Sequence, residues 1–287
     1  MHLQTYLDRI GYSGDVAPTL GTLAALLRHH ALAIPFENLD VQLGRHLTLD
    51  PDAAFDKIVR RGRGGWCYEQ NGLFGAVLAE IGFGVTRVAG AVMRAGREDI
   101  SDANHLALLV ETEDAPGRRF LADAGFGGSL VEPIELAEAT HRQPPFHLGL
   151  RRLDDGYWQF HEDAGDGEFS FDFEPVPGDE DALARRCDYL QSDPTSGFVR
   201  SLVAQIRLPD AHRTLRGRVL SEIGPRGSEE RLIDSADELV ETLSRQFRLD
   251  VPEVRDLWPR IVERHEEHVT EQAGDHEDDQ DDQDPDN

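Results

Sequence analysis

The spacing of apolar residues changes at Gly84, and this change constrains the fold more than any other feature of the chain. Upstream of Gly84, apolar residues recur every three or four positions, as on helices with one buried face. Downstream, short runs of alternating apolar and polar residues are separated by glycine and proline turns, as in antiparallel strands. The chain is therefore predicted to be an α+β protein with a helical N-terminal lobe.

The helical lobe, residues 1–84, is predicted to contain four helices. A first amphipathic helix covers residues 3–10, and Thr19 is the expected N-cap of the second. Asp50-Pro51 combines a capping aspartate with a proline at the first helical position, and it predicts the start of a third helix. A fourth helix begins near Cys67.

The middle lobe, residues 85–178, is predicted to be an antiparallel β-barrel. Its expected strands are 85–93, 105–111, 118–123, 146–153, 157–162 and 168–173. Several short strands separated by glycine and proline turns are typical of barrels and sandwiches.

The third lobe, residues 179–270, is predicted to mix helices and strands. The expected elements are a helix from Asp179, strands at 214–223 and 230–233, and helices from Ser235 and Pro252. The remaining segment, residues 271–287, is acidic and of low complexity. It holds too few apolar residues to offset the entropy of ordering, so we expect it to be disordered.

Cys67 lies at the predicted start of the fourth helix, directly after Gly64-Gly65-Trp66. The helix is indicated by apolar residues at one-face spacing, which are Leu73, Phe74, Val77, Leu78 and Ile81. Unpaired N–H groups and the positive end of the helix dipole favour a thiolate over a thiol at such a position. Free cysteines are also among the most buried residues, so Cys67 taken alone is compatible with either reactivity or packing.

Two other polar residues occupy strand ends. His105 opens one predicted strand, and Asp123 closes another before a glycine-rich turn. A thiol, an imidazole that deprotonates it and a carboxylate that orients the imidazole are the parts of an activated cysteine nucleophile. Because the three residues are far apart in the sequence, only the folded chain can assemble them.

Four motifs in the same order resemble the arylamine N-acetyltransferase family. They are Ile34-Pro35-Phe36-Glu37-Asn38-Leu39, Arg63-Gly64-Gly65-Trp66-Cys67-Tyr68-Glu69-Gln70-Asn71-Gly72, the strand-opening His105, and Asp123-Ala124-Gly125-Phe126-Gly127. The similarity extends from about Tyr6 to about Trp258. It implies a helical domain, a β-barrel and an α/β C-terminal lid around a cysteine-protease-like Cys-His-Asp core.

The resemblance implies an N-acetyltransferase that uses acetyl-coenzyme A as co-substrate and an arylamine or arylhydrazine as acceptor. Cys67 would attack the coenzyme thioester, carry the acetyl group as a thioester and pass it to the amine nitrogen, which gives ping-pong kinetics. His105 would take the thiol proton, and Asp123 would hold the imidazole in the required tautomer. No metal is implied, and no Cys/His cluster has zinc-site spacing.

The resemblance also implies an aromatic acceptor pocket. The matching positions are Phe36, Tyr68, Phe126 and Phe198. Flat apolar walls suit an aromatic amine, although core packing explains such residues equally well. Arg63 and Glu37 match a pair that braces the active-site loop in the family.

A glycine-rich turn would let the pantetheine or pyrophosphate of the coenzyme approach the backbone. Its residues are Gly125, Gly127, Gly128 and Ser129. The chain departs from the family at Asp193-Pro194, where similar enzymes often have His-Pro, and an aspartate repels phosphate. The nearby cations that could compensate are Arg213, Arg216 and Arg218.

The charge is strongly acidic. The chain has 55 Asp and Glu, 29 Lys and Arg, and a net charge of −26, and Lys57 is its only lysine. Such a composition resembles that of proteins from salt-loving organisms, in which ions screen the self-repulsion of the compact state. It argues against nucleic-acid binding, which needs a basic surface.

The absence of a disulfide framework, a membrane span and a signal peptide from the sequence predicts the compartment of the protein. Cys67 and Cys187 are the only cysteines, so a disulfide framework is excluded, and we expect Cys187 to be a packing residue. The sequence has no apolar run of membrane-spanning length and no signal-peptide pattern at Met1. We therefore expect a cytoplasmic protein with no membrane partner, while its oligomeric state stays open.

Three other functions are compatible with the same residues. Cysteine hydrolases and transglutaminase-like enzymes use the same set in the same order. Some relatives of the acetyltransferases close amide rings as amide synthases. An inactive scaffold that binds aromatic ligands is the third alternative, and an unreactive Cys67 would support it.

Overall fold

Most helices of this computed structural model begin close to their predicted positions, whereas α3 and α7 below were not predicted. The structure describes residues 1–96, 103–165 and 167–278. The helices are α1 (Leu3–Ile10), α2 (Leu20–Ala33), α3 (Leu39–Gln42), α4 (Pro51–Phe55), α5 (Cys67–Ile81), α6 (Glu180–Ser192), α7 (Gly197–Arg200), α8 (Ala236–Phe247) and α9 (Trp258–Asp278). A π-helical turn, Asp56–Arg60, extends α4, and a 3₁₀ turn, Pro252–Leu257, precedes α9.

Predicted caps account for three of these helix starts. Thr19 accepts a hydrogen bond from the N–H of Thr22, and Asp50 accepts one from Asp52. Ser235 accepts one from Glu238 at the start of α8. Each cap satisfies a backbone donor that the helix itself leaves unpaired.

The strands form two antiparallel sheets. They are β1 (Phe36–Glu37), β2 (Gly84–Val92), β3 (His105–Glu111), β4 (Phe120–Leu121), β5 (Ile134–Glu135), β6 (Ala139–Gln143), β7 (Phe146–Arg152), β8 (Trp158–Asp163), β9 (Glu168–Phe173), β10 (Val203–Arg207), β11 (His212–Arg216), β12 (Val219–Gly224) and β13 (Gly227–Leu232). Eight strands pair in the order β5-β4-β3-β2-β9-β8-β7-β6, and five pair in the order β1-β10-β11-β12-β13.

The eight-stranded sheet lies where the β-barrel was predicted, and it agrees with that prediction in strand pairing but not in closure. All its neighbouring strands are antiparallel, as expected. Its edge strands are β5 and β6, and within the described part of the chain they do not pair with each other. The sheet is therefore an open half-barrel.

Residues 214–223 were predicted to form one strand, but they belong to two strands, β11 and β12, that form a hairpin. Gly217 has φ of +57° and turns the chain between the two strands. A positive φ is readily adopted by glycine and costly for most other residues. Strand β10, which pairs with β11, was not predicted.

The five-stranded sheet crosses the predicted lobe boundaries. Its edge strand β1 comes from the N-terminal helical region, and the other four come from the C-terminal region. The main apolar core likewise joins helical residues such as Leu26 and Phe74 to half-barrel residues such as Leu108 and Phe171. The division at residues 84 and 178 stays a prediction.

The last helix continues into the segment expected to be a disordered tail. Helix α9 runs to Asp278, and residues 279–287 of the predicted tail lie outside the described residues. None of the helices in the described ranges combines the length and apolar character that crossing a membrane requires.

Candidate active site

Cys67 is the first residue of α5 and is almost completely buried, with 3% of its surface exposed. The turn that leads to it lies directly against β1. Glu37 donates its N–H to the carbonyl of Gly65, and Gly65 donates to Pro35. A Cβ on Gly64 would stand 2.2 Å from the Pro35 carbonyl oxygen, so only glycine allows this close approach.

The structure brings the three predicted residues together. His105 is the first residue of β3, and Asp123 lies two residues beyond β4. The Nε2 atom of His105 lies 2.6 Å from Oδ2 of Asp123, and both side chains are buried. Cys67 lies close enough to the His105 ring to contribute to the raised pKa of that ring. A thiol, an imidazole and a carboxylate thus lie together away from solvent.

The protonated form of His105 is strongly favoured. Burial lowers the pKa of His105, but the charge and hydrogen bond of Asp123, together with Cys67, outweigh burial and raise the pKa to about 10. An opposite charge at hydrogen-bonding distance stabilises a buried imidazolium. The arrangement can therefore hold a proton on the ring at neutral pH.

Asn71 belongs to the site, although the sequence analysis did not single it out. Its Nδ2 donates to Oδ1 of Asp123 at 2.7 Å and to the carbonyl of Leu106 at 2.6 Å. Its Oδ1 accepts the N–H of Ala124. The sequence spacing could have identified it, because Asn71 lies one helical turn after Cys67 and therefore on the same side of α5.

The four aromatic candidates fall into two groups. Phe36, Tyr68 and Phe198 pack in the same apolar cluster as Cys67. Phe126 instead lies against the ring of His105, with the ring centroids 5.1 Å apart. Both groups border the Cys-His-Asp arrangement, and their contact with an acceptor stays a prediction.

The glycine-rich turn packs closely against other parts of the chain. Gly125 lies against Cys67 and Asn71, while Gly127 and Gly128 have positive φ and lie against β10. Ser129 is buried, and within the described ranges its Oγ has no hydrogen-bond partner. Close packing and positive φ are enough to account for glycine at these positions, so a role of the turn in coenzyme binding stays a prediction.

A buried ionic network lies beneath the start of α5 and contains the predicted Arg63–Glu37 pair. Nη2 of Arg63 lies 3.0 Å from Glu37 and 3.2 Å from Asp40. Nζ of Lys57 lies 2.8 Å from Glu69, 3.4 Å from Glu37 and 3.5 Å from Asp40. Burial lowers the pKa of Lys57, but the three carboxylates raise it to about 12.

Glu69 ties this network to the catalytic helix. It occupies the third position of α5, and its Oε2 accepts the N–H of Trp66 at 3.3 Å. Burial raises the pKa of Glu69 while the Lys57 charge lowers it. The network therefore fixes the residue that precedes Cys67.

A second buried chain of hydrogen bonds holds the same turn from the other side. The Tyr6 hydroxyl lies 2.8 Å from Nδ1 of His30, and Nε2 of His30 lies 3.1 Å from Oε1 of Gln70. Nε2 of Gln70 donates to the carbonyl of Gly65 at 2.7 Å. Burial lowers the pKa of His30 to about 4, despite the hydrogen bond to Gln70. His30 is therefore neutral at neutral pH.

No group of three or more His, Cys, Asp or Glu that could hold a metal occurs in the part of the chain that the structure describes. Cys187 is buried in the same apolar cluster as Cys67, where burial raises the pKa of its thiol.

Comparisons with known proteins show which family the chain is similar to. Residues 19–256 match the family model described as N-acetyltransferase. The arylamine N-acetyltransferase of Mycolicibacterium smegmatis is 37% identical over 273 residues, which cover 92% of this chain and 98% of the relative. The enzyme of Mycobacterium tuberculosis is 36% identical over 260 residues, which cover 88% of this chain and 91% of the relative.

Solved structures of similar proteins have the same fold. That of the M. smegmatis enzyme superposes with a TM-score of 0.83 at 36% identity, and the match covers 92% of this chain and 98% of the other. That of the Mycobacterium marinum enzyme in complex with CoA gives a TM-score of 0.82 at 35% identity, covering 91% and 98%.

Proposed function

This chain belongs to the arylamine N-acetyltransferase family, and on that premise we propose that it transfers acetyl groups from acetyl-coenzyme A to an arylamine or arylhydrazine through a thioester on Cys67. The observation that carries the proposal is the buried contact of His105 Nε2 with Asp123 Oδ2 at 2.6 Å, with Cys67 close enough to the same ring to affect its pKa. A buried thiol with a base and an orienting carboxylate suits covalent catalysis.

The first half-reaction starts from a site in which the thiol proton of Cys67 has already passed to His105. Asp123 occupies Nε2 of the ring, so Nδ1 is the nitrogen that accepts this proton. The thiolate then attacks the acetyl carbonyl, the bond to the coenzyme sulfur breaks, and the imidazolium returns its proton to the departing thiolate. Acetyl-Cys67 and free coenzyme A are the products.

In the second half-reaction, the amine nitrogen attacks the carbonyl of acetyl-Cys67. His105 takes a proton from the nitrogen, and the Cys67 thiolate leaves as the amide forms. The backbone N–H of Cys67 is the proposed donor to the developing oxyanion, together with a second N–H near His105, because the first N–H groups of a helix have no partner within the helix.

The residues around His105 support this sequence of steps. The raised pKa of His105 favours the imidazolium form of its ring. Asn71 and the N–H of Gly125 both donate to Oδ1 of Asp123, which leaves Oδ2 directed at the ring. The carboxylate is thereby fixed in the orientation that the base requires.

The acceptor is assigned to the aromatic residues that border this arrangement. Phe36, Tyr68, Phe126 and Phe198 provide aromatic surfaces next to Cys67 and His105, as an aromatic amine requires. The coenzyme assignment is supported by the M. marinum relative, whose structure was solved in complex with CoA.

Intact-mass spectrometry tests the proposal. Wild-type protein mixed with acetyl-coenzyme A and no acceptor, in molar KCl, should gain one acetyl group, ~42 Da, and lose it when an arylamine is added. Cys67→Ala should gain nothing. Cys187→Ala is the matched control, since it removes the other cysteine and should still be acetylated.

One result would exclude the proposal. If folded wild-type protein gained no acetyl group while Cys67 could still be alkylated by iodoacetamide, the donor assignment would be wrong. Peptide, ester and amide-forming substrates would then be assayed for hydrolase or amide synthase activity.

A further inference from the structure

One face of helix α1 carries two polar side chains, Tyr6 and Arg9, that contact the segment before Cys67. This segment, residues 63–66, is called the nucleophile turn below. Tyr6 and Arg9 are one helical turn apart, so they lie on the same side of α1. Tyr6 is completely buried and Arg9 is partly buried. The proposed reaction steps use neither residue, so their contacts need another explanation.

Arg9 binds backbone carbonyls from three separate segments. Its Nε donates to Ile58 at 3.0 Å, its Nη1 to Ala33 at 3.2 Å and its Nη2 to Arg63 at 3.2 Å. Ala33 is the last residue of α2, and Ile58 belongs to the π-helical turn. Because a guanidinium holds its donors in a rigid planar fork, these bonds fix the three carbonyls relative to one another. Arg9 thus ties the start of the nucleophile turn to α1 and α2.

Tyr6 reaches the end of the same turn through two other side chains. Its hydroxyl lies 2.8 Å from Nδ1 of His30, Nε2 of His30 lies 3.1 Å from Gln70, and Gln70 donates to the carbonyl of Gly65 at 2.7 Å. All three side chains in this series are buried, and Gly65 lies two residues before Cys67. Helix α1 therefore supports both ends of the nucleophile turn.

The carbonyl at the end of this series fixes the direction of every hydrogen bond in it. Nε2 of Gln70 has to donate to the carbonyl, so Oε1 of Gln70 accepts a proton from Nε2 of His30. His30 is neutral at neutral pH, so its lone pair is on Nδ1 and accepts the Tyr6 hydroxyl. Loss of that hydroxyl would leave a buried acceptor without its donor, which is costly.

Strand β1 holds the opposite side of the nucleophile turn. The N–H of Gly65 donates to Pro35, and the carbonyl of Gly65 also accepts the N–H of Glu37. The turn is thus held between β1 on one side and α1 with α2 on the other. Catalytic groups have to stay within about 0.5 Å of their productive geometry, so supports on both sides affect how Cys67 meets His105.

We propose that Tyr6 and Arg9 are positioning residues for acetyl transfer, which hold the nucleophile turn so that the Cys67 thiol meets the His105 ring. This inference rests on the proposed function, in which Cys67 is the nucleophile. Neither residue contacts the reacting groups. Their loss should therefore slow the formation of acetyl-Cys67 without weakening the binding of the acetyl donor.

The test uses Tyr6→Phe, which removes one hydroxyl, Arg9→Met, which removes the donors and keeps an apolar stem, and the double variant. Tyr12→Phe is the matched control, because the Tyr12 hydroxyl donates to Asp15, outside the turn. Ile10→Val and Ile10→Ala are the controls for stability, since Ile10 is buried on the same helix and only apolar contacts are lost. All proteins are assayed in molar KCl, below the lowest melting temperature of the set.

Single-turnover acetylation of Cys67, followed by rapid quenching and intact mass, measures the effect. Each single variant should be about three- to tenfold slower than wild type, and the double variant at least about tenfold slower, because small displacements of a reacting group are costly. The acetyl-coenzyme A concentration that gives half the maximal rate should stay within about twofold of wild type. Tyr12→Phe and both Ile10 variants should react at the wild-type rate.

A second measurement does not depend on the acetyl donor. Cys67 contributes to the raised pKa of His105, and NMR titration of Cys67→Ala measures the size of that contribution. In the double variant the pKa of His105 should shift from the wild-type value toward that of Cys67→Ala, because the thiol has moved away from the ring. Ile10→Ala should titrate as wild type.

Three results would overturn the inference. Wild-type acetylation rates in the double variant would show that β1 and the ionic network position the turn without α1. A loss of rate that Ile10→Ala shares at a similar melting temperature would reduce the role of α1 to stability. If wild type itself gained no acetyl group, the proposed function would fail, and an unchanged His105 titration in the double variant would then overturn the positioning role separately.

Discussion

Gly125 lies directly against the backbone of Cys67. A Cβ on Gly125 would stand 2.8 Å from the Cα of Cys67 and 2.7 Å from Nδ2 of Asn71. Both distances are shorter than real Cβ contacts, and the Cα belongs to rigid backbone at a helix start. The residue after Ala124 therefore has to be glycine if the nucleophile is to stay where it is.

We expect Gly125→Ala to displace Cys67 or Asn71, because the added methyl group has no free space. Overpacking of this kind costs about 1–3 kcal/mol of stability. The rate of Cys67 acetylation, followed by intact mass, should fall by at least about tenfold, since small displacements at a reacting centre are costly. Gly21→Ala is the control, because Gly21 is exposed on α2 with nothing near its Cβ position. Equal acetylation rates for the two variants would contradict the prediction.

Asp123→Asn should lower the pKa of His105. In the wild type the charge and hydrogen bond of Asp123, with a further contribution from Cys67, outweigh burial and raise this pKa to about 10, so removing the Asp123 charge should lower it. Ring-resonance NMR titration, with His105→Gln to identify the signal, measures the shift. We expect kcat to fall by about 10³- to 10⁴-fold. A titration near pH 10 that persisted in Asp123→Asn would disprove this explanation.

The same pKa predicts a pH window for stability. Because the folded-state pKa of His105 is raised, its stabilising contribution is complete below the unfolded-state value of about 6.5 and is lost as pH rises through about 10. Urea unfolding of wild type at pH 7 and at pH 10 should show a larger loss than unfolding of Asp123→Asn over the same interval.

His30 should make the fold sensitive to acid. Its pKa is lowered to about 4 in the folded state by burial, so between pH 6.5 and 4 the unfolded chain binds the proton more readily. Stability should fall by about 3 kcal/mol over this interval from His30 alone. In His30→Gln the fall between pH 7 and pH 4.5 should be smaller, whereas exposed His46→Gln should behave as wild type. Urea titrations at the two pH values measure it.

Lys57→Met should be strongly destabilising. It leaves Glu37, Asp40 and Glu69 buried together with Arg63 as their remaining buried cation. Removing one partner of a buried ionic group typically costs about 3–5 kcal/mol. Arg60→Met, which removes an exposed arginine paired with Asp56, should cost no more than about 0.5 kcal/mol. Equal melting temperatures for the two variants would show that the network contributes little.

Salt should stabilise the protein as a whole. With a net charge of −26, mutual repulsion of carboxylates opposes the compact state at low ionic strength. We expect the melting temperature to rise between low and molar KCl, because the ions screen this repulsion. A melting temperature that did not change with KCl concentration would contradict the hypothesis that the acidic composition is an adaptation to salt.

Local signals in the sequence were enough to predict most of the helices and three members of the site. Caps at Thr19, Asp50 and Ser235 depend on neighbouring residues only, and they were confirmed. Cys67, His105 and Asp123 were recognised by residue type and position, and the structure brings them together.

Contacts between distant segments were beyond sequence reasoning. Lys57 forms ion pairs with Glu37 and Asp40, which lie on other elements, and no local sequence pattern predicts those pairs. Likewise β1 joins a sheet formed by strands more than 160 residues later, as the pairing of Phe36 with Gln205 shows. Asn71 was missed because its partner Asp123 is distant in sequence, although its spacing from Cys67 was visible.

The burial of Lys57 has a chemical consequence for an enzyme that handles activated acetyl groups. Lysine side chains are the usual protein amines that stray acetyl donors modify, and this chain has one lysine, 2% exposed and held by three carboxylates. The amine of Met1 forms an ion pair with Asp52 at 3.0 Å. The folded protein therefore offers an acetyl donor no exposed lysine, so acetylation of its own lysine should not compete with the amine acceptor.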